Sequence, residues 1–146
     1  QAQKALRPLG HQVHLQHSQH YLVKDQKKNQ RLFQLRPDIV VKSQDTPHCI
    51  VDTKWKRLQP EERKLGVSQA DLYQMLAYSE RYQCQSILLL YPWNNSGGNF
   101  RGVQKQMTFE GKTSKVTIGE IALQDLSTVE VQIRQLIHNC TAIETN

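Results

Sequence analysis

The run Ser86-Ile87-Leu88-Leu89-Leu90-Tyr91 restricts the fold more than any other stretch of this chain. Side chains alternate between the two faces of a strand, so an unbroken apolar run leaves no face for water. It reads as a buried strand lying next to a helix. The preceding segment supplies that helix. Ser68 stands three residues before Asp71, the spacing of a capping box. Leu72, Met75, Leu76 and Ser79 then recur at i, i+3, i+4 and i+7, with Asp71, Gln74, Tyr78 and Arg81 as a polar stripe beside them.

Around this unit the patterning is mostly β. Residues 1–10 suit the tail of a helix ending at Gly10. Residues 13–23 suit a strand, and the polar stretch 24–31 an exposed turn. A second strand is expected over Leu32 to Val41, a turn over Gln44 to Pro47, and a third strand over Cys49 to Trp55, giving a β-meander. Pro60 and Gly66 mark residues 56–67 as a loop, and Asn94 to Asn99 is a Gly/Asn loop. Residues 100–109 and 115–123 suit a hairpin about Glu110-Gly111-Lys112, and Leu126 to Ile137 has helical spacing. The class is mixed α/β. At 146 residues the chain fits one domain, 1–146, large enough to bury a core without disulfides. It opens on Gln1 rather than Met, so a C-terminal fragment of a longer protein is expected.

No run of about 18 apolar residues is present, so no membrane helix is expected. Cys49, Cys84 and Cys140 are scattered, as free thiols of a reducing cytoplasm would be. The net charge of +6 suits a polyanionic partner such as DNA without specifying one.

Four acid-x-Lys triplets occur: Asp25/Lys27, Asp52/Lys54, Glu62/Lys64 and Glu110/Lys112. Three fall in turns or loops, where a solvated charge pair is an adequate reading. Asp52 and Lys54 instead follow Cys49-Ile50-Val51 on a strand, where aspartate is uncommon and a half-buried charge is costly unless paired or metal-bound. Strand period puts both on one face. The competing reading is a surface ion pair. Pro37-Asp38 likewise opens the apolar run Ile39-Val40-Val41, although Pro and Asp also favour turns. Asp38 and Asp52 stand fourteen positions apart. That allows strand, tight turn and return strand, so the two carboxylates can meet at one sheet edge. Mg²⁺ is held by one or two carboxylates plus waters and substrate phosphate, and the Thr53 carbonyl could add an oxygen. Lys54 would steer the attacking water and stabilise charge developing on the phosphate. Gln74 and Tyr78, four apart, share a helix face.

Pro37-Asp38, Asp52-Thr53-Lys54 and Gln74-x-x-x-Tyr78, in this order, resemble the three motifs of the PD-(D/E)xK nuclease superfamily in its RecB-like branch. The longer strings Leu35-Arg36-Pro37-Asp38-Ile39-Val40, Val51-Asp52-Thr53-Lys54-Trp55-Lys56, Asp71 to Tyr78, and Leu89-Leu90-Tyr91-Pro92 resemble the McrC family, the nuclease subunits of 5-methylcytosine-dependent restriction systems. The likeness covers about residues 32–92.

The resemblance implies a restriction-endonuclease-like sheet flanked by helices. It implies Mg²⁺-dependent cleavage of double-stranded DNA leaving 5′-phosphates, with Mn²⁺ able to substitute. Asp38 and Asp52 would bind metal, Lys54 would be catalytic, and Gln74 and Tyr78 would support them. It also implies an McrB-like AAA+ GTPase as partner; this chain has no GxxxxGK(S/T) string of its own. Many relatives carry another acidic residue before the first motif, whereas here none precedes Asp25. One or two metal ions therefore both stay open. A RecB-like repair nuclease and a catalytically silent DNA-binding or assembly module are the rival functions.

Two basic groups, Lys56, Arg57, Arg63 and Lys64, and Lys24, Lys27, Lys28 and Arg31, suit either DNA contact or solvated loops; closeness to the catalytic strand favours the first group. His11, His14, His17 and His20 recur every three residues, a spacing that gathers them on neither a strand nor a helix, so they read as polar surface rather than a zinc site.

Overall fold

The computed structural model describes residues 6–93 and 101–142; the expectations for residues 1–5 and for the Asn94–Asn99 loop lie outside the described residues. Its centre is a six-stranded mixed sheet. The strands are β1 (Gln12–Leu15), β4 (Ile39–Ser43), β5 (Thr46–Thr53), β6 (Ser86–Trp93), β7 (Gly102–Thr108) and β8 (Lys115–Ala122). Across the sheet they stand in the order β1-β4-β5-β6-β8-β7. β5, β6 and β8 run parallel, while β1, β4 and β7 join antiparallel. A separate antiparallel pair, β2 (His20–Lys24) and β3 (Arg31–Leu35), stands apart from this sheet.

The apolar run forms β6 and is covered on both sides, as its composition demands. Ile87, Leu89 and Tyr91 face Met75, Tyr78 and Tyr82 of helix α1 (Gln69–Tyr82). Leu88 and Leu90 face Ile133, Leu136 and Ile137 of helix α2 (Val129–Thr141). Each such side chain taken out of water contributes about 1.5–3 kcal/mol, which makes this strand the anchor of both core layers. The Ser68 hydroxyl accepts from the Asp71 N–H at 3.1 Å, the expected cap of α1. Two parallel pairings with no chain reversal between them require crossovers, and α1 supplies the one from β5 to β6.

Several expected elements differ. Residues 13–23 are two strands rather than one, because the chain turns at Gln16, whose φ is 46°. Leu32 to Val41 is likewise β3 plus β4, broken at Pro37, which lacks the N–H a continuous ladder needs. The meander is therefore the antiparallel set β1-β4-β5 with the β2–β3 pair inserted. The turn before β5 is only Gln44-Asp45, both in the left-handed region favoured in two-residue hairpins, and Pro47 already lies in β5 beside a register shift. β5 ends at Thr53, leaving Trp55 exposed. α2 starts at Val129 rather than Leu126, because Asp125 holds the N–H and hydroxyl of Ser127 in a turn. Tyr78 belongs to the core rather than to a polar stripe. Among the described residues no helix is long and apolar enough to cross a membrane.

Candidate active site

β4 and β5 pair with Ile39 opposite Val51 and Val40 opposite Ile50. Continuing that register one step sets Asp38 opposite Asp52. Both share a face with Val40 and Ile50, the face covered by α1. Asp38 is fastened to the neighbouring strand by Thr53, whose N–H and hydroxyl both donate to Asp38 Oδ2, at 2.7 and 2.6 Å. Thr53 thus meets Asp38 through its donors.

Asp52 is 5% exposed. Its Oδ2 lies 2.7 Å from Lys54 Nζ. The same ammonium lies 3.3 Å from Asp71 Oδ1 and donates to Gln74 Oε1 at 3.1 Å, so three acceptors surround its three protons. Gln74 Nε2 in turn donates to the Tyr78 hydroxyl at 3.0 Å. Strand period places Asp52 and Lys54 on one face, and helix period places Asp71, Gln74 and Tyr78 above them. The structure therefore brings together Asp38, Asp52, Thr53, Lys54, Gln74 and Tyr78. Of the four acid-x-Lys triplets, this is the one whose acid is buried: Asp25 caps a hairpin turn, and Glu62 and Glu110 are exposed.

The electrostatics follow from burial and crowding. Desolvation holds the Asp52 carboxyl above its ordinary value; the Lys54 contact opposes this, and the charges of Asp38 and Asp71 add to it. Burial works against the Lys54 ammonium, but the hydrogen bond and charge of Asp52, with Asp71, outweigh it and hold its pKa above the usual value. For Asp71, burial is outweighed by bonds to Ser68, Lys56 and Lys54, which bring its carboxyl down to about 2. Burial, with the charge of Asp52, pushes the Tyr78 hydroxyl far up.

The expected DNA-contacting residues lie on the loop between β5 and α1, which Leu58 and Val67 anchor in the core. Lys56 is paired with Asp71 at 3.1 Å. Arg57, Arg63 and Lys64 are exposed and form no ion pair among the described residues.

Two residues join the site that the motif pattern passed over. Asp71 reads in sequence as a helix-start residue on the polar stripe with Gln74 and Tyr78, with no site role, yet it bridges Lys54 and Lys56; its place one turn before Gln74 was the available signal. Tyr91 is fully buried, its hydroxyl has no hydrogen-bond partner among the described residues, and burial together with the charges of Asp71 and Asp52 raises its pKa. The four histidines are not a polar surface throughout. His17 is buried against Tyr82, His20 packs edge-on to the same ring, and His11 stacks on His48. Among the described residues no group of three or more His, Cys, Asp or Glu side chains is arranged to hold a metal. The three cysteines are free, as expected, and all are buried.

The family model for McrBC 5-methylcytosine restriction system components matches residues 3–92. No curated protein matches the chain. Among solved structures it is similar to a chain in the refined half-complex from the tetradecameric assembly of Thermococcus gammatolerans McrB AAA+ hexamers with bound McrC. The identity is 14% and the TM-score 0.59, over 92% of this chain and 30% of that one. At that identity the likeness speaks for the fold, and this chain spans 30% of the other's length.

Proposed function

This chain belongs to the family of McrBC 5-methylcytosine restriction system components, and from that premise we propose that it is a restriction-endonuclease-like, PD-(D/E)xK domain that hydrolyses DNA phosphodiester bonds with Mg²⁺, Mn²⁺ substituting. The observation that carries this reading is the meeting of Asp38 and Asp52 on one face of the sheet with Lys54 ion-paired to Asp52. Family membership favours a restriction role over a repair nuclease.

The residues fit a hard divalent cation. Two carboxylates from adjacent strands converge, and one is nearly sealed from water, crowded by like charge, and raised in pKa as a result. A pair of carboxylates completed by waters and substrate oxygens is a usual Mg²⁺ set. Asp38 and Asp52 would hold the ion. When bound, Mg²⁺ supplies neutralisation of the phosphate and a water of lowered pKa.

The remaining chemistry belongs to the side chains. Thr53 fixes the orientation of Asp38, leaving its other oxygen to face the substrate. Lys54 stays protonated across the physiological range and offers its charge to the phosphate oxygens as they gain charge in the transition state. Gln74, held by Tyr78, aims that ammonium. Lys56, Arg57, Arg63 and Lys64 supply phosphate contacts beside the site. An McrB-like AAA+ GTPase would be the motor partner, as McrB is bound with McrC in the Thermococcus assembly.

The test is cleavage of supercoiled plasmid with Mg²⁺ or Mn²⁺, with the GTPase subunit and GTP present, comparing wild type with Asp52→Ala and Lys54→Ala. Loss of cleavage in both variants with retained folding is expected. Equal cleavage by all three proteins, or none by any, overturns the assignment.

A further inference from the structure

We propose that the β2–β3 hairpin is a grip for double-stranded DNA, set beside the cleavage site; the proposal rests on the nuclease reading above and adds a contact surface to it. The charge is concentrated there. Between Ser18 and Arg36 stand Lys24, Lys27, Lys28, Arg31 and Arg36 against Asp25 alone, a net +4 of the chain's +6. The cations are also placed at a cost. Lys24 lies directly opposite Arg31 in the antiparallel register, and like charges facing each other across strands destabilise a pair. A bound polyanion removes that repulsion.

The apolar side chains of the hairpin point the same way. Phe33 lies between Leu32 and Gln34, which pair with Val23 and Tyr21, at the position where the ladder is interrupted. Phe33 is 72% exposed and has a φ of 58°, a conformation that bulky side chains rarely adopt. A strained, solvated aromatic is a liability for folding and points to a use elsewhere. Leu22, Val23 and Phe33 are all exposed on the hairpin beside Lys24 and Arg31, so apolar and cationic side chains are presented together. A two-stranded ribbon fits the DNA major groove, where cations meet phosphates and apolar groups meet thymine methyls or sugars.

The hairpin is also held in place. Asp25 Oδ1 accepts the N–H groups of Lys27 and Lys28 at 2.8 and 2.9 Å, which shapes the tip and leaves both lysine side chains outside. At the root, Arg81 Nε donates to the Tyr21 carbonyl at 2.8 Å and the Tyr82 hydroxyl donates to the His17 carbonyl at 2.7 Å. Both anchors are on α1, the helix that carries Gln74 and Tyr78. Leu35 is three residues from Asp38, at most about 11 Å, and the ribbon rises about 13 Å from His20 to Lys24. The charged rung therefore lies within roughly 24 Å of Asp38, or about seven base pairs.

The experiment is equilibrium binding of a short fluorescent DNA duplex to the full chain in chelator, across a salt series. It compares wild type, Lys27→Gln/Lys28→Gln and Phe33→Ala, each checked by circular dichroism and melting. The turn variant alters only exposed side chains, so it keeps the test open if Phe33→Ala fails to fold. The lysine variant is expected to flatten the slope of log affinity against log salt by about 0.9 for each phosphate it no longer neutralises. Phe33→Ala removes apolar area that the duplex would cover and is expected to weaken binding on the order of tenfold with the slope unchanged. Folded variants with wild-type affinity and slope overturn the hairpin proposal and leave the nuclease reading standing. Equal competition by polyglutamate of matched charge, with Phe33→Ala indifferent, overturns it in favour of an acidic protein partner. Absence of duplex binding by wild type overturns the hairpin proposal, while the nuclease reading is decided by the plasmid-cleavage test with metal and the GTPase subunit present.

Discussion

Replacing Asp71 with Asn removes one negative charge from between two lysines at nearly constant side-chain size. Asp71 Oδ1 lies 3.3 Å from Lys54 and Oδ2 3.1 Å from Lys56, and the carboxyl titrates at about 2 rather than 3.8. A tenfold change in proton affinity between the folded and unfolded chain corresponds to about 1.36 kcal/mol, so the ionised form contributes at most about 2.4 kcal/mol to folding. The side chain is 16% exposed and Lys56 is 45% exposed, so solvent screening brings this to about 1–2 kcal/mol. The sign follows from the direction of the change. A carboxyl whose folded pKa lies below its unfolded value adds stability above about pH 4, and that stability is lost as pH falls through about 2. Urea unfolding at neutral pH should therefore find Asp71→Asn weaker by about 1–2 kcal/mol, or about 3–6 °C in Tm for a chain of this size. The gap should close between about pH 4 and about pH 2. A cycle with Lys56→Met should assign about 0.2–1 kcal/mol to that exposed pair, leaving the larger share with Lys54 and the helix start. A neutral-pH gap below about 0.3 kcal/mol, or a gap that stays constant down to about pH 2, would refute the electrostatic reasoning.

Three further outcomes are expected. A Cβ on Gly119 would sit 2.8 Å from Leu136 Cδ2 and 3.3 Å from Leu88 Cδ1, so Gly119→Ala should cost about 1–3 kcal/mol by overpacking the α2 side, read by denaturant midpoint. Gln132 is buried, accepts the Ala122 N–H at 2.8 Å and donates to the Ala122 carbonyl at 3.1 Å, so Gln132→Leu should strand both groups and cost about 2–4 kcal/mol, read by the same measurement. His17 is buried with neither ring nitrogen hydrogen-bonded among the described residues, and burial, then Lys42, hold its pKa below 6.5. Protonating it opposes folding, so wild type should lose stability as pH falls below 6.5, and His17→Leu should flatten that limb in melting curves recorded across it.

What the amino-acid pattern discloses and what it hides divide along a physical line. α1 and β6 are legible because each is defined locally, by a capped apolar stripe and by a run with no wet face. The convergence of Asp38 and Asp52 is partly legible, since their spacing on apolar strands allows a hairpin that brings the two carboxylates together. Pro37 is harder. The apolar pattern runs across it from Leu32 to Val41, and only the pairing partners decide that β3 belongs to a separate ribbon while β4 enters the main sheet. Tyr78 misleads for a related reason: its hydroxyl reaches Gln74 at the helix surface while its ring is core, and a helical wheel weighs the residue as one object. Asp71 shows in sequence only its local task, because its reach to Lys54 and Lys56 exists only once β5 lies beneath α1. The mixed topology is itself what assembles the cluster. β5 takes an antiparallel neighbour on one side and a parallel neighbour on the other. Its carboxyl end therefore meets the start of β4 laterally and the start of the crossover helix above. A purely parallel sheet would bring other strand ends to that corner and lose Asp38. A purely antiparallel one needs no crossover and would lose Asp71 and Gln74. Two carboxylates, a lysine and the helix groups that aim it are thus brought to one corner by the change of strand direction at β5.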